Sequence, residues 1–210
     1  KYNVGLEFGL WNGLLTGNFD YFYESRTDIL TQYLTRPQWV GVVMAAGNLG
    51  KTKNQGVELE LKHNNRIGKD FYYNVGFTFS HARNEILDMD EPDAKTGYRK
   101  QEGHPINQYF GLICDGFVTQ ADLDNPNFPK STYGNVQVGD LKYRDMNGDG
   151  FIDDRDETFI GYSDIPENTY ALTLGAQWKG IGFSVMFQGV DHVSRFYDAE
   201  AMFAFVNGGK

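Results

Sequence analysis

Alternation of apolar and polar side chains, sustained over unusually long runs, is the feature of this chain that most narrows what it can fold into. Val4, Leu6, Phe8 and Leu10 alternate with Asn3, Gly5, Glu7 and Gly9, and a period of two places the apolar set on one face of a β-strand. Trp11-Asn12-Gly13 follows, and Asn-Gly is a strong hairpin signal. Alternation then resumes through Leu15, Gly17, Phe19, Tyr21 and Tyr23. A second hairpin sets Val57, Leu59 and Leu61 against Glu58, Glu60 and Lys62, turns between about Asn64 and Lys69, and returns through Phe71, Tyr73, Val75, Phe77 and Phe79. A third carries Tyr170, Leu172, Leu174, Ala176 and Trp178 to a tight turn at Lys179-Gly180 and returns through Phe183, Val185 and Phe187. The pattern predicts antiparallel strands near 2–10, 14–25, 55–64, 71–83, 168–179 and 181–190, with almost no helix.

The connections differ in kind. Three are short, whereas those at about 26–53 and 85–167 are long and rich in Asp, Asn, Pro and Gly. Loops of that length are uncommon in compact soluble domains, but outer-membrane barrels pair short periplasmic turns with long extracellular loops. The parity agrees: with the three short turns at one end, both long loops fall at the other. Trp11 and Trp178 sit beside short turns, where an aromatic girdle belongs. The faces opposite the apolar ones carry Glu7, Asn18, Asp20, Glu58, Glu60, Lys62, Asn74, Thr78, Thr173 and Gln177, which suit a wet lumen. A soluble sandwich alternates in the same way, so length decides. These runs match the 9–11 residues of membrane strands better than the 5–6 of globular ones. The fold class read here is therefore all-β, an antiparallel meander of long hairpins forming part of a large transmembrane β-barrel with long extracellular loops. Val4, Leu6, Phe8, Leu59, Leu61, Val75, Phe77, Leu172, Leu174 and Val185 are expected to face lipid.

Composition narrows the function. The 210 residues include 13 Tyr and 16 Phe, too aromatic for a disordered chain. With 19 basic and 28 acidic side chains the net charge is -9, which speaks against a nucleic-acid partner. The single Cys114 excludes an internal disulfide and Cys-based metal sites, and its apolar surroundings predict a buried, inert thiol. No stretch is long and apolar enough for a membrane helix. The opening residues contain no signal sequence, and the chain reads as an internal piece of something longer.

One motif carries chemistry. Residues 145–156 match a calcium-loop spacing. Asp145, Asn147, Asp149, Asp153 and Asp156 supply side-chain oxygens at loop positions 1, 3, 5, 9 and 12, and Phe151 offers its carbonyl at position 7. Gly150 permits the sharp turn at position 6, and Ile152 turns an apolar side chain inward. Converging acceptors of this number are relieved only by a cation at their centre, so a structural Ca²⁺ is expected, ordering the loop from Gly139 to Gly161 above the barrel mouth. Position 12 is Asp rather than Glu, which shortens its reach. The flanks read as extended segments rather than helices, so this is a staple and not a helix-opening sensor. The competing reading is an Asp/Asn/Gly-rich turn without metal.

Other chemistry is thin. His63, His81, His104 and His192 lack metalloenzyme spacing, no nucleophile is paired with a base, and Asp88, Asp90, Glu91 and Asp93 read as a solvated loop. The chain is not read as an enzyme.

Several segments together resemble the SusC/RagA family of TonB-dependent outer-membrane receptors of Bacteroidetes. They are Val4-Gly5-Leu6-Glu7-Phe8 with Asn18-Phe19-Asp20-Tyr21-Phe22-Tyr23 and Thr27-Asp28-Ile29-Leu30; Gly47-Asn48-Leu49-Gly50 with Asn54-Gln55-Gly56-Val57-Glu58-Leu59; Gly103-His104-Pro105-Ile106 with Tyr109-Phe110-Gly111 and Asp115-Gly116-Phe117; and the run from Gly139 through Asp153, leading by Ile160-Gly161 to Phe187-Gln188-Gly189-Val190. The resemblance covers residues 1–190 as a partial barrel from the carboxy-terminal half, without a plug domain or TonB box, and leaves 191–210 as the unassigned start of a further loop or strand. It implies an outer-membrane importer of glycans or peptides, capped by a SusD-like lipoprotein, embedded in outer-membrane lipid and energised by the TonB complex through the plug. The rival reading is a secreted, calcium-stabilised β-sandwich that binds carbohydrate on Trp39, Tyr98 or Tyr133.

Overall fold

A computed structural model describes residues 1–33, 45–92 and 97–197. Its central feature is one antiparallel sheet of β1 (Tyr2–Leu10), β2 (Leu15–Thr31), β3 (Gly47–Ile67), β4 (Phe71–Asp88), β11 (Asn168–Trp178) and β12 (Ile181–Asp191), ordered β1-β2-β3-β4-β11-β12. Spatial order follows chain order, as in a meander. The short turns use backbone that few residues adopt: φ is positive at Trp11, Asn12 and Gly13, at Gly68, and at Lys179 and Gly180. Glycine at the last position of each of these runs adopts such a conformation without a Cβ penalty.

The chain divides into two units, one of residues 1–26, 52–85 and 162–210 and one of residues 27–51 and 86–161. In the first, the register sorts every side chain. Leu6 lies opposite Phe19, and Glu7 opposite Asn18. Leu172 is flanked by Phe77 and Phe187, and Leu174 by Val75 and Val185. A Cβ added to Gly17 would run into Phe8 and approach Leu61, which places β1, β2 and β3 apolar side chains on a common side. On the other side Gly5, opposite Asp20, leaves room for that carboxylate, which a Cβ would overlap.

The sheet does not fold its apolar face inward. Val4, Leu6 and Phe187 keep 67%, 59% and 59% of their surface exposed. Among the described residues the buried apolar side chains are Ile86, Val118 and Ile152, and all three belong to the second unit. A β-sandwich buries exactly the face that is bare here, and a contiguous apolar band of this size on a soluble surface is rare.

Three strands run further than the alternation predicts. β2 reaches Thr31, β3 begins at Gly47 and β4 reaches Asp88, so parts of the expected 26–53 and 85–167 loops are strand. Ladder hydrogen bonds need a neighbouring backbone, not an amphipathic sequence. Alternation ends where one face ceases to meet lipid, while pairing continues. The second turn is also tighter than expected, at residues 68–70. Trp39 lies outside the described residues.

The second unit is built of small pieces. β5 (Gln108–Gly111) pairs with β10 (Thr158–Ser163), β6 (Cys114–Phe117) with β8 (Leu141–Tyr143), and β7 (Lys130–Ser131) runs parallel to β9 (Phe151–Ile152). A single-turn helix, α1 (Gln120–Leu123), starts at a Thr119–Asp122 capping box. Two sequence expectations are corrected here. Cys114 is exposed, because β6 belongs to a two-stranded pair with a bulge beside it, which leaves a face of the strand open. Glu91 is buried, not solvated, and accepts hydrogen bonds from the backbone N–H groups of Gln101 and Glu102. A buried carboxylate tolerates that position because it satisfies two amides.

Candidate functional site

Two features carry functional meaning: the lipid-facing band and the acidic loop. The band is laid down in rows across β4, β11 and β12. The rows run Phe71–Trp178–Ile181, Tyr73–Ala176–Phe183, Val75–Leu174–Val185, Phe77–Leu172–Phe187 and Phe79–Tyr170–Gly189. From Trp178 to Tyr170 they extend about 27 Å along the strand, or about 21 Å once a barrel strand's tilt of about 40° is applied, close to the apolar height of known barrels. The next row is polar. His81 Nδ1 lies 2.6 Å from Asn168 Oδ1, and Asn168 donates to Asp191. At the other end Trp11 and Trp178 are 70% and 54% exposed beside the short turns, where indole rings meet head groups. The polar face is lined by Glu7, Asn18, Asp20, Glu58 and Glu60 around open concavities.

The acidic loop is held by its own backbone. Asp145 accepts from the N–H groups of Gly148 and Gly150 at 2.6 and 2.8 Å, Asn147 Oδ1 from Asp149 at 2.8 Å, and Asp149 Oδ1 from Phe151 at 3.0 Å. Asp156, fully buried, takes the Met146 and Asp153 amides at 2.9 Å each. Ile152 is buried, as its inward position in the loop predicts. The flanks are the extended β8 and β10, not helices. A 3₁₀ turn at Asp154–Asp156 closes the segment, with Asp153 as its cap.

The six sequence-predicted ligands thus lie in one loop, but among the described residues no three His, Cys, Asp or Glu side chains are gathered at metal-holding spacing. Asp149 and Asp153 instead grip the Arg155 guanidinium, each at 2.7 Å. Its hydrogen bond to Asp153 holds that carboxyl below the ordinary carboxylate range. Arg155 is the residue that spacing alone does not reveal: a fixed cation at position 11 of the loop, next to Asp156 at position 12. Tyr98, the exposed ring of the sandwich reading, donates its hydroxyl to the Arg155 carbonyl at 2.8 Å and is only half open.

Known proteins bear on this geometry. The family described as TonB dependent receptor-like, beta-barrel matches residues 1–205. TonB-dependent receptor P3 of Formosa agariphila is 26% identical over 201 residues, covering 89% of this chain and 19% of the relative. TonB-dependent receptor SusC of Bacteroides thetaiotaomicron is 25% identical over 191 residues, covering 87% and 18%. Among solved structures, the RagAB peptide importer in its closed-closed state matches with a TM-score of 0.62 at 23% identity, covering 91% of this chain and 21% of that one. The chain spans about a fifth of the length of the curated relatives it matches.

Proposed function

The chain belongs to the family of TonB-dependent receptor β-barrels of the outer membrane, and from that premise we propose that it forms part of the wall of an importer for glycans or peptides, working with a SusD-like surface lipoprotein and drawing energy from the TonB complex. The observation that carries this reading is the bare apolar band of the six-stranded sheet, in register across β4, β11 and β12 and backed by a polar face. An open sheet with such a face gains its stability from lipid on one side and neighbouring strands at both edges. The partner and cargo classes are supported by similarity to SusC and by the name of the RagAB peptide importer.

The acidic loop, on the same reading, holds one structural Ca²⁺ through Asp145, Asn147, Asp149, Asp153, Asp156 and the Phe151 carbonyl. Its support is the ligand spacing and the amide network that already shapes the turn. Arg155 must yield two carboxylates when the ion enters.

Deleting the receptor gene and restoring it on a plasmid, with uptake of labelled oligosaccharides and peptides measured in each strain, tests the transport reading. Uptake lost on deletion and regained on restoration is the expected result; unchanged uptake of both classes overturns it. Calorimetry with Ca²⁺ on chelator-treated receptor tests the metal, and absence of binding heat in the millimolar range overturns that assignment.

A further inference from the structure

A cleft of about 320 Å³ opens in the second unit between the β6–β8 pair and the segment that carries β7, at the small end of the range for ligand sites. Its floor is dry, formed by Val118 and Ile152 at 2% and 4% exposure. On its wall Tyr133 keeps 60% of its surface open.

Two charged side chains line the same cleft. Asp140 and Lys142 stand two residues apart, Asp140 in the bend just before β8 and Lys142 within it, and both line the cleft. Each is anchored by one bond. Asp140 Oδ2 accepts the Gln137 amide at 2.7 Å, and Lys142 Nζ donates to Asp122 Oδ1 at 2.6 Å. Among the described residues, Asp140 Oδ1 and the remaining ammonium protons of Lys142 make no further hydrogen bond. The cleft therefore offers an aromatic face, an apolar floor, a fixed acceptor and a fixed donor.

We propose that this cleft binds one or two neutral pyranose units of an oligosaccharide, with a sugar face stacked on Tyr133 and adjacent hydroxyls shared between Asp140 and Lys142. A pyranose presents axial C–H groups to a ring and a fringe of hydroxyls that both donate and accept, which is the complement of this set. Neutral sugars fit better than uronates or sulfated ones. Lys142 is already paired with Asp122, so the Asp140 carboxylate leaves the cleft lining negative and disfavours an anionic ligand. The inference rests on the importer reading and narrows it to one cargo class at one place.

The test uses the intact receptor in detergent and a panel of maltotriose, cellotriose, mannotriose, xylotriose and β-1,4-galactotriose, read by saturation-transfer NMR and calorimetry. At least one trisaccharide is expected to bind. Tyr133→Ala should then weaken it about tenfold or more, Tyr133→Phe should stay within about twofold, and Asp140→Asn should weaken it about threefold to tenfold. The proposal is overturned if no trisaccharide binds at millimolar concentration, if binding survives Tyr133→Ala, or if only a neutral hexapeptide control occupies the cleft. A receptor that is still required for uptake but shows no cleft binding defeats this inference alone; a receptor dispensable for uptake of both cargo classes defeats the importer reading beneath it.

Discussion

Phe8 lies directly across the β1–β2 ladder from Gly17 and lays its ring over the space where that residue has no side chain. A Cβ at position 17 would overlap the ring and crowd Leu61 on the next strand. The glycine is what lets three strands share a smooth lipid-facing surface.

Gly17→Val should therefore destabilise the intact receptor by about 1–3 kcal/mol, the usual cost of overpacking a fitted site. Urea titration of folded receptor in detergent micelles measures it. Phe8→Ala in the same background should recover part of the loss; failure to do so would show that the ring is not the obstacle.

Leu174 stands between Val75 and Val185 in the middle row of the band. Leu174→Arg should cost about 2–4 kcal/mol, as lipid-facing cations do near the bilayer midplane. Its neighbour Thr173 points to the polar face, so Thr173→Arg should cost less than about 1 kcal/mol. Equal costs at the two positions would contradict the assignment of faces.

Asp156 is buried with its carboxylate spent on backbone amides at both ends of the acidic loop. Asp156→Ala strands those donors, and the local opening free energy of residues 145–158 should fall by about 2–4 kcal/mol. Hydrogen exchange of the Met146 and Asp153 amides reports it directly. The same amides should gain protection when Ca²⁺ is added to the wild-type receptor and lose it in chelator.

The ion pair of Lys142 with Asp122 should leave a titration signature. The Lys142 bond first, then Thr119, hold the Asp122 carboxyl down at about 2 from its ordinary 3.8. The folded value lies below the unfolded one, so the pair's contribution is complete above pH of about 3.8 and disappears as pH falls through about 2. Carboxyl chemical shifts followed from pH 5 to 1.5 should show Asp122 titrating last among the exposed loop carboxylates. In Lys142→Met that midpoint should rise toward the ordinary value.

The six strands were legible in the alternation because a membrane barrel must be apolar on one face for its full span, and a period of two leaves that requirement in plain view. The turns were legible for a related reason: Asn12-Gly13 and Lys179-Gly180 supply backbone with positive φ. The ends of β2, β3 and β4 were not, since beyond the lipid nothing forces the side chains to alternate while the ladder goes on pairing.

The acidic loop divides in the same way. Its run of oxygen-bearing side chains and the inward Ile152 follow from spacing along the chain, because a turn of this kind is a local structure. The grip of Arg155 on Asp149 and Asp153 is equally local, yet a long flexible side chain has many rotamers, and only the folded turn selects one. Cys114 looks buried in sequence because its neighbours are apolar, and it is exposed because burial depends on what lies across from a strand. The cleft of Val118, Tyr133, Asp140 and Lys142 could not be read from order at all. Its parts come from segments that the chain brings together only by folding, so what repeats or turns locally was decided by the sequence itself, and what meets across a distance was decided by the tertiary structure.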